Sequence, residues 1–387
     1  MRPAEHGSRR MKCVLFYHAF TSCWNNGNAH FLRGVARELT ELGHQVVVHE
    51  PADGWSRLNA LAEGGEDALH QVPALFPQVE IRSYDQSIDL DHALEGADLV
   101  LVHEWNPPEL IAQIGARRRR GGSFALLFHD THHRAVSKPD EMARFDLDGF
   151  DGVLAFGEVL RQMYLRLGWA DRAFTWHEGA DTALYRPLPQ IEKRYDVVWI
   201  GNWGDDERSA ELREYLIAPV AALKLHGKIY GVRYPQDALD AIQAAGIDYD
   251  GWLPAHRAPE AFAGAHVTVH VPRGPYARTL PGIPTIRMFE AMACGVPIVS
   301  APWDDCEQLF TAGSYLRADS AAQMQACLRR LIEDRELARE MAAEGLRLIR
   351  ERYSCRHRVR ELLDIVDTLR GQRFQPSAPA LNEEAVS

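Results

Sequence analysis

An α/β protein of two doubly wound lobes is the fold that the sequence predicts, on three observations. Short apolar runs alternate with longer segments of helical period, the pattern of parallel strands joined by crossover helices. The alternation comes in two series, and the stretch between them, 185–193, carries Pro187 and Pro189 with few apolar residues, as a linker does. At 387 residues the chain is long enough for two domains with a core each.

The first unit is a buried strand at 14–17, a polar turn at 21–27, and a helix whose Phe31, Leu32, Val35, Leu39 and Leu42 recur at three-to-four spacing. Asn28 is placed to cap that helix, Gly43-His44 ends it, and 45–49 supplies the next strand before Pro51. Further strands are read at 99–103, 124–128 and 153–156. The second series has strands at 197–200, 228–230, 267–270 and 297–300, and from 320 to 369 the pattern is wholly helical. The expected organisation is a flexible start at 1–10, a first lobe at 11–186, a linker at 187–193, a second lobe at 194–355, a closing helix at 356–371 and a disordered tail at 372–387.

Composition narrows the function. With 46% hydrophobic and 25% charged residues the chain has the balance of an ordinary globular protein. Its 43 Lys and Arg against 54 Asp and Glu leave a net charge of -11, which weighs against nucleic acid as a partner, because phosphate neutralisation needs a local cationic excess. Six cysteines are scattered without C-x-x-C spacing and read as reduced thiols. The apolar run 13–20 is broken by His18, so no secretory signal is read, no run approaches a membrane span, and the expected location is the cytoplasm. The arginine run 117–120 reads as a solvated loop or helix end; peripheral contact with an anionic membrane surface is the other reading. The acidic pairs Asp205-Asp206 and Asp304-Asp305 lack a completing ligand set, so they are read as loop carboxylates and no metal site is expected.

Two βαβ lobes place ligands at the carboxyl ends of their strands, in the cleft between them. The first turn, 22–28, lacks the G-x-G-x-x-G of a dinucleotide site, which disfavours a nicotinamide dehydrogenase; its Gly27 and Asn28 still suit an anion or a hydroxyl-rich ligand at a helix N-terminus. The strongest segment is 281–301, PGIPTIRMFEAMACGVPIVSA, which encodes turn, helix and strand. Thr285 is the candidate N-cap, Gly295 stands where a C′ glycine belongs, and the amides near Ile286 open toward a diphosphate. Arg287 and Glu290 share one helix face. A guanidinium there can hold phosphate oxygens, while a carboxylate can accept hydrogen bonds from two ribose hydroxyls; a surface ion pair is the plainer alternative.

This segment resembles the donor-binding motif of nucleotide-sugar glycosyltransferases of the GT-B fold, in the glycosyltransferase group 1 superfamily. More narrowly it is similar to the spore-maturation-type branch, through Arg287, Phe289, Glu290, Ala291, Cys294 and Gly295. Gly179, Ala180, Asp181, Tyr185 and Pro187 resemble the inter-lobe signature of that family, Ile200, Gly201, Asn202 and Arg208 its first donor-lobe strand and turn, and Tyr353-Ser354 with Arg358 its terminal segment. The similarity spans roughly 11–370. It implies two Rossmann-like lobes, an inter-lobe cleft and a C-terminal helix that crosses back to the first lobe. Two departures stand out: Gly282 occupies the position of a second glutamate common in retaining relatives, and no lysine accompanies Arg208. Arg273 and Arg278 are candidates for the missing charge.

The resemblance also implies roles. His129, in the polar run 128–134, matches a histidine at the donor sugar; with Arg208 it is the expected catalytic pair. Donor contacts are expected from Gly27, Asn28, Gly201, Asn202, Arg233, Tyr234, Thr285, Ile286, Arg287 and Glu290, with Trp252 a further wall for the base. His103, Glu104 and His132 are candidates for acceptor binding or positioning, and one of His129, His132 and His133 is read as a structural turn residue. The expected reaction is metal-independent and retaining transfer, needing no cofactor, of a hexose-like sugar from a nucleoside diphosphate to a glycan-type, lipid-linked or protein acceptor; a UDP-sugar is favoured and a GDP-sugar is the other candidate. The alternatives are a sugar-nucleotide epimerase or hydrolase on the same fold, and a degenerate nucleotide-sugar-binding protein.

Overall fold

The computed structural model describes residues 9–24, 26–204 and 206–373. The expected flexible start at 1–8, the expected tail at 374–387 and the expectation for Asp205 lie outside the described residues. The first sheet is built from β1 (Lys12–Phe16), β2 (Gln45–Pro51), β3 (Glu80–Tyr84), β4 (Leu99–His103), β5 (Ala125–Asp130), β6 (Gly152–Ala155) and β7 (Ala173–Thr175), in the order β3-β2-β1-β4-β5-β6-β7. The second contains β8 (Tyr195–Ile200), β9 (Gly227–Tyr230), β10 (Ile247–Tyr249), β11 (Ala265–His270), β12 (Ile298–Ser300) and β13 (Leu316–Arg317), in the order β10-β9-β8-β11-β12-β13. Both sheets are parallel throughout.

In each lobe the first strand sits in the interior, with its successor on one side and a later strand on the other. Val14 pairs with Val47 and with Val100, and Val197 with Gly227 and Val267. That reversal opens a crevice at the carboxyl ends of β1/β4 and of β8/β11. The expected strands are all present within a few residues. The four that the sequence reading does not contain, β3, β7, β10 and β13, are the four sheet edges. Interior parallel strands are covered on both faces and read as apolar runs, whereas these edges are half-exposed and mixed.

The Ala29–Glu41 helix ends in a Schellman motif, with Gly43 at a φ of 86° and His44 N–H donating to Leu39 at 3.1 Å. Asn28 stands at its N-cap but does not cap it. Its amide donates instead to Oγ1 of Thr131 at 2.7 Å, across the mouth of the first sheet. The arginine run ends the Pro108–Arg119 helix, where Arg117 and Arg119 pair with Asp91 and Asp148 and Arg118 donates to the Phe124 carbonyl.

The chain closes with the Cys355–Arg373 helix, which extends past the expected end at 371 and lies on the first lobe. Its buried Cys355, Val359, Leu362, Val366 and Leu369 follow three-to-four spacing and share a core with Phe31, Leu32, Val35 and Leu39. The Trp176 indole donates to the Arg358 carbonyl at 2.8 Å, and Ala180 bridges Ser354 in strand fashion. Among the described residues no helix is long and apolar enough to cross a membrane, and all six cysteines are unpaired.

The seam under this helix has no spare room. A Cβ on Gly34 would press into Sγ of Cys355 and come within 2.8 Å of Cβ of Asp181. Gly34→Ala is expected to lower stability by about 1–3 kcal/mol through overpacking. Urea unfolding checks this, and Cys355→Ala in the same chain is expected to restore part of the loss because it removes the nearer obstacle.

Candidate active site

Between the lobes lies a cleft of about 790 Å3, entered at the carboxyl ends of both sheets. The turn after β1 forms one wall. It is shaped from within: the buried Glu50 carboxylate accepts from the amides of Phe20 and Thr21 at 2.8 and 3.1 Å, and Arg33 donates to the carbonyls of Phe20 and Ser22. These bonds satisfy the backbone before the helix begins and leave Gly27 and Asn28 facing the second lobe, where a Cβ on Gly27 would lie 3.3 Å from Ile286.

The opposite wall is cationic. Arg208, Arg273 and Arg287 all line it, with Gly201, Asn202, Arg233, Thr285 and Ile286. The Arg208 guanidinium donates to the carbonyls of Asn202 and Val271 at 2.6 and 3.1 Å and lies 5.1 Å from the Trp199 ring; its Nε has no partner. Burial, then the neighbouring Arg273, lower its pKa to about 9, so it remains a cation at neutral pH. Thr285 occupies the N-cap of the Ile286–Ala293 helix without a side-chain cap bond. The helix ends in a Schellman motif at Gly295, where Val296 N–H reaches Ala291 at 3.0 Å. Its first turn lies on the cleft wall with the three arginines, at a positive dipole end, an environment for a polyanion. A narrow annex, lined by Cys23, Ile200, Gly201, Tyr230, Gly231 and Trp252, opens beside this wall. It depends on Gly231, whose φ is 154° and whose Cβ would run into the Gly201 carbonyl.

Several residues singled out from the sequence are not on the cleft surface. Glu290 is fully buried. Its carboxylate lies 2.8 Å from Nδ1 of His30 in the first lobe and pairs with Arg287 on its own helix, so it spans the two lobes instead of facing a ligand. The pair is thus internal, not a surface one. His129 is also fully buried, packed on Trp176 and Phe31 at ring distances of 4.8 and 6.0 Å, because β5 is buried on both faces and side-chain alternation sets this one on the face that meets Phe31 of the first helix. Burial lowers its pKa to about 3, which keeps it neutral. Tyr234 lies behind the wall, its hydroxyl donating to the Gly201 carbonyl at 2.8 Å. Arg278 does not line the cleft; it pairs with Glu211.

His103 and Glu104 lie beneath the floor. His103 is 3.0 Å from Oγ1 of Thr131 and stacks on His18. Glu104 accepts from Thr131 N–H at 2.9 Å and from the Arg134 guanidinium at 2.7 Å; burial, then the adjoining Asp130, raise its pKa well above the carboxylate range. Asp130 accepts from His132 N–H and from the Tyr164 hydroxyl. Together these bonds fix the 130–134 turn, and they leave His132 lining the cleft while His133 reaches Glu207 of the second lobe at 3.3 Å. Glu207 also holds Arg273 at 2.8 Å. Burial works against its ionisation, but the bonds from His133 and Arg273 prevail and bring its pKa to about 2.

Four features escape the sequence reading: His30, Glu178, Tyr276 and a group of tryptophans. Trp24, Trp55 and Trp105 line the first-lobe side of the cleft, Trp24 and Trp55 edge to face at 6.0 Å. Trp55 and Trp105 are 40% and 36% exposed, high for indoles, although the Arg134 guanidinium lies over the Trp105 ring at 4.2 Å. Among the described residues no group of three His, Cys, Asp or Glu side chains is arranged to hold a metal ion.

Glu290→Gln is expected to cost about 2 kcal/mol at pH 7, below the roughly 3–5 kcal/mol of a fully enclosed pair, since Arg287 is 24% exposed and keeps access to water. Burial pushes the Glu290 pKa up, but Arg287 and His30 outweigh it and hold it below 4.5. The wild-type advantage is therefore present above that pH and shrinks as pH falls through the lowered value, so urea unfolding of the two proteins is expected to converge in acid.

The comparisons with known proteins agree on both lobes. The Glycosyltransferase Family 4 model matches residues 25–184, and the Glycosyl transferase-like model matches residues 208–364. No curated protein sequence matches the chain. Solved structures that resemble it include sucrose-phosphate synthase from Thermosynechococcus elongatus, at 14% identity and a TM-score of 0.63 over 94% of this chain and 100% of that one. HepE of Anabaena, solved with UDP and glucose, has 15% identity and a TM-score of 0.65 over 93% of this chain and 100% of its own. A TarM variant of S. aureus, solved with fondaparinux, α-GlcNAc-glycerol and UDP, has 10% identity and a TM-score of 0.66 over 92% and 100%. With two parallel-sheet lobes, a helix that returns to the first of them and a glycosyltransferase domain match on each, the protein is a glycosyltransferase of the GT-B fold.

Proposed function

We propose that the enzyme transfers a sugar from a nucleoside diphosphate to a saccharide acceptor, with retention and without a metal ion. The observation that carries this reading is the convergence of Arg208, Arg273 and Arg287 with the N-terminus of the Ile286–Ala293 helix on one wall of the cleft. A leaving diphosphate develops charge as the sugar bond breaks, and cations preorganised in a partly dry site stabilise that charge more than they stabilise the bound ground state. The annex between Ile200 and Trp252 has aromatic walls suited to a nucleobase. In this reading Glu290 acts through Arg287, by holding its guanidinium, and does not touch ribose.

The first lobe presents the acceptor side. Indole faces at Trp24, Trp55 and Trp105 offer stacking area for sugar rings, with Asn26, His132 and Lys138 among them as hydrogen-bonding groups. In same-face attack the departing phosphate itself takes the acceptor proton, so the burial of His129 and Glu104 leaves no step without a proton carrier.

Thermal unfolding with UDP, GDP, ADP, dTDP and CMP tests the donor assignment. UDP is expected to raise the melting temperature, and Arg287→Ala to abolish that rise. In turnover assays Arg208→Ala is expected to lower kcat roughly 100-fold with a smaller change in KM; an unaltered kcat would contradict its role at the leaving group. Trp55→Ala and Trp105→Ala are expected to reduce transfer while slow donor hydrolysis persists, read by product analysis with and without acceptor sugars.

A further inference from the structure

Glu178 follows β7 on the segment that leads out of the first lobe, and it lines the cleft. The backbone around it is pinned. His177 is held by Glu307 at 2.9 Å and by the Phe156 carbonyl at 3.0 Å, and Ala180 is bonded to Tyr353 and Cys355. The side chain is only 3% exposed, yet its Oε1 has no hydrogen-bond partner. Buried carboxyl oxygens in folded proteins are almost always satisfied, so a pinned, buried and unsatisfied one at the wall of a cleft marks a ligand contact.

We infer that Glu178 reads the transferred sugar, through hydrogen bonds between its carboxyl group and a hydroxyl of the sugar ring carried by the nucleotide. This rests on the reading of the cleft as a nucleotide-sugar site. The titratable groups whose charges act on Glu178 are Arg287 and Glu290 of the Ile286–Ala293 helix and Tyr276 of the Gly274–Arg278 segment. Burial, then the Glu290 charge, push its pKa well above the carboxylate range, and Arg287 only partly opposes them. The unpartnered Oε1 is a free acceptor, and the raised pKa favours the protonated carboxyl, which can also donate. A sugar hydroxyl donates to that oxygen whether or not the carboxyl is protonated. A phosphate has no proton to give, and the three arginines already serve it.

The test is calorimetric titration of UDP, UDP-glucose, UDP-galactose and UDP-N-acetylglucosamine into the wild type, Glu178→Ala and Glu178→Gln. Glu178→Ala is expected to weaken the best-bound sugar nucleotide roughly tenfold and to leave UDP unchanged. Glu178→Gln, whose amide also donates and accepts, is expected to keep most of that affinity and to melt no lower than the wild type, because it is neutral at every pH. Equal weakening of UDP and sugar nucleotide in Glu178→Ala, or no change in either, overturns the assignment to the sugar. A wild type that binds no uridine nucleotide overturns the reading of the cleft itself and this inference with it.

Discussion

The site is organised around one buried carboxylate. Glu290 stands between His30, on the first helix of the first lobe, and Arg287, at the cleft edge of the second. Desolvating such a group is costly, and an apolar replacement of the same shape would often stabilise a fold more. What the ionic contact contributes instead is position. It ties the N-terminal turns of two helices from different lobes to one point, and it decides where the Arg287 guanidinium sits when the cleft is empty.

Around that point the molecule separates apolar from polar burial. The packed core runs without a break from β1 through the first and last helices into the Ile286–Ala293 helix, so the closing helix and the cleft share side-chain neighbours. Much of the polar burial gathers at the carboxyl ends of the strands. There Glu104, Asp130 and Arg134 hold the 130–134 turn, and Glu50 with Arg33 holds the turn after β1. Each network satisfies backbone groups that the strand ends would otherwise leave unpaired. The loops that form the cleft are therefore rigid where they leave the sheet, and their rims carry the arginines and tryptophans.

How far the sequence could be read follows from the same division. The interior strands were legible because burial on two faces writes an apolar run, and the edges were not, because half-exposed strands such as Glu80–Tyr84 carry no such run. Among site residues, those in turns and at helix starts, Gly27, Asn28, Gly201, Asn202, Arg208, Thr285 and Arg287, line the cleft where the local grammar put them. Those on or just after strands did not follow: His103, Glu104 and His129 are buried, since both faces of these strands are covered and the sequence does not say where the covered strand gives way to the open turn.

The chain alone determined the two-lobed α/β architecture, the turn-helix segment at 281–301 and the absence of a dinucleotide loop, because each is written in residues close together in sequence. Only the folded structure decided which polar groups meet. His30 and Glu290 lie 260 positions apart, and His133 and Glu207 come from different lobes. Whether Glu178 finds a partner depends on what the second lobe brings against it. Such pairings depend on how two separately wound sheets are set against one another, and no local pattern carries that information.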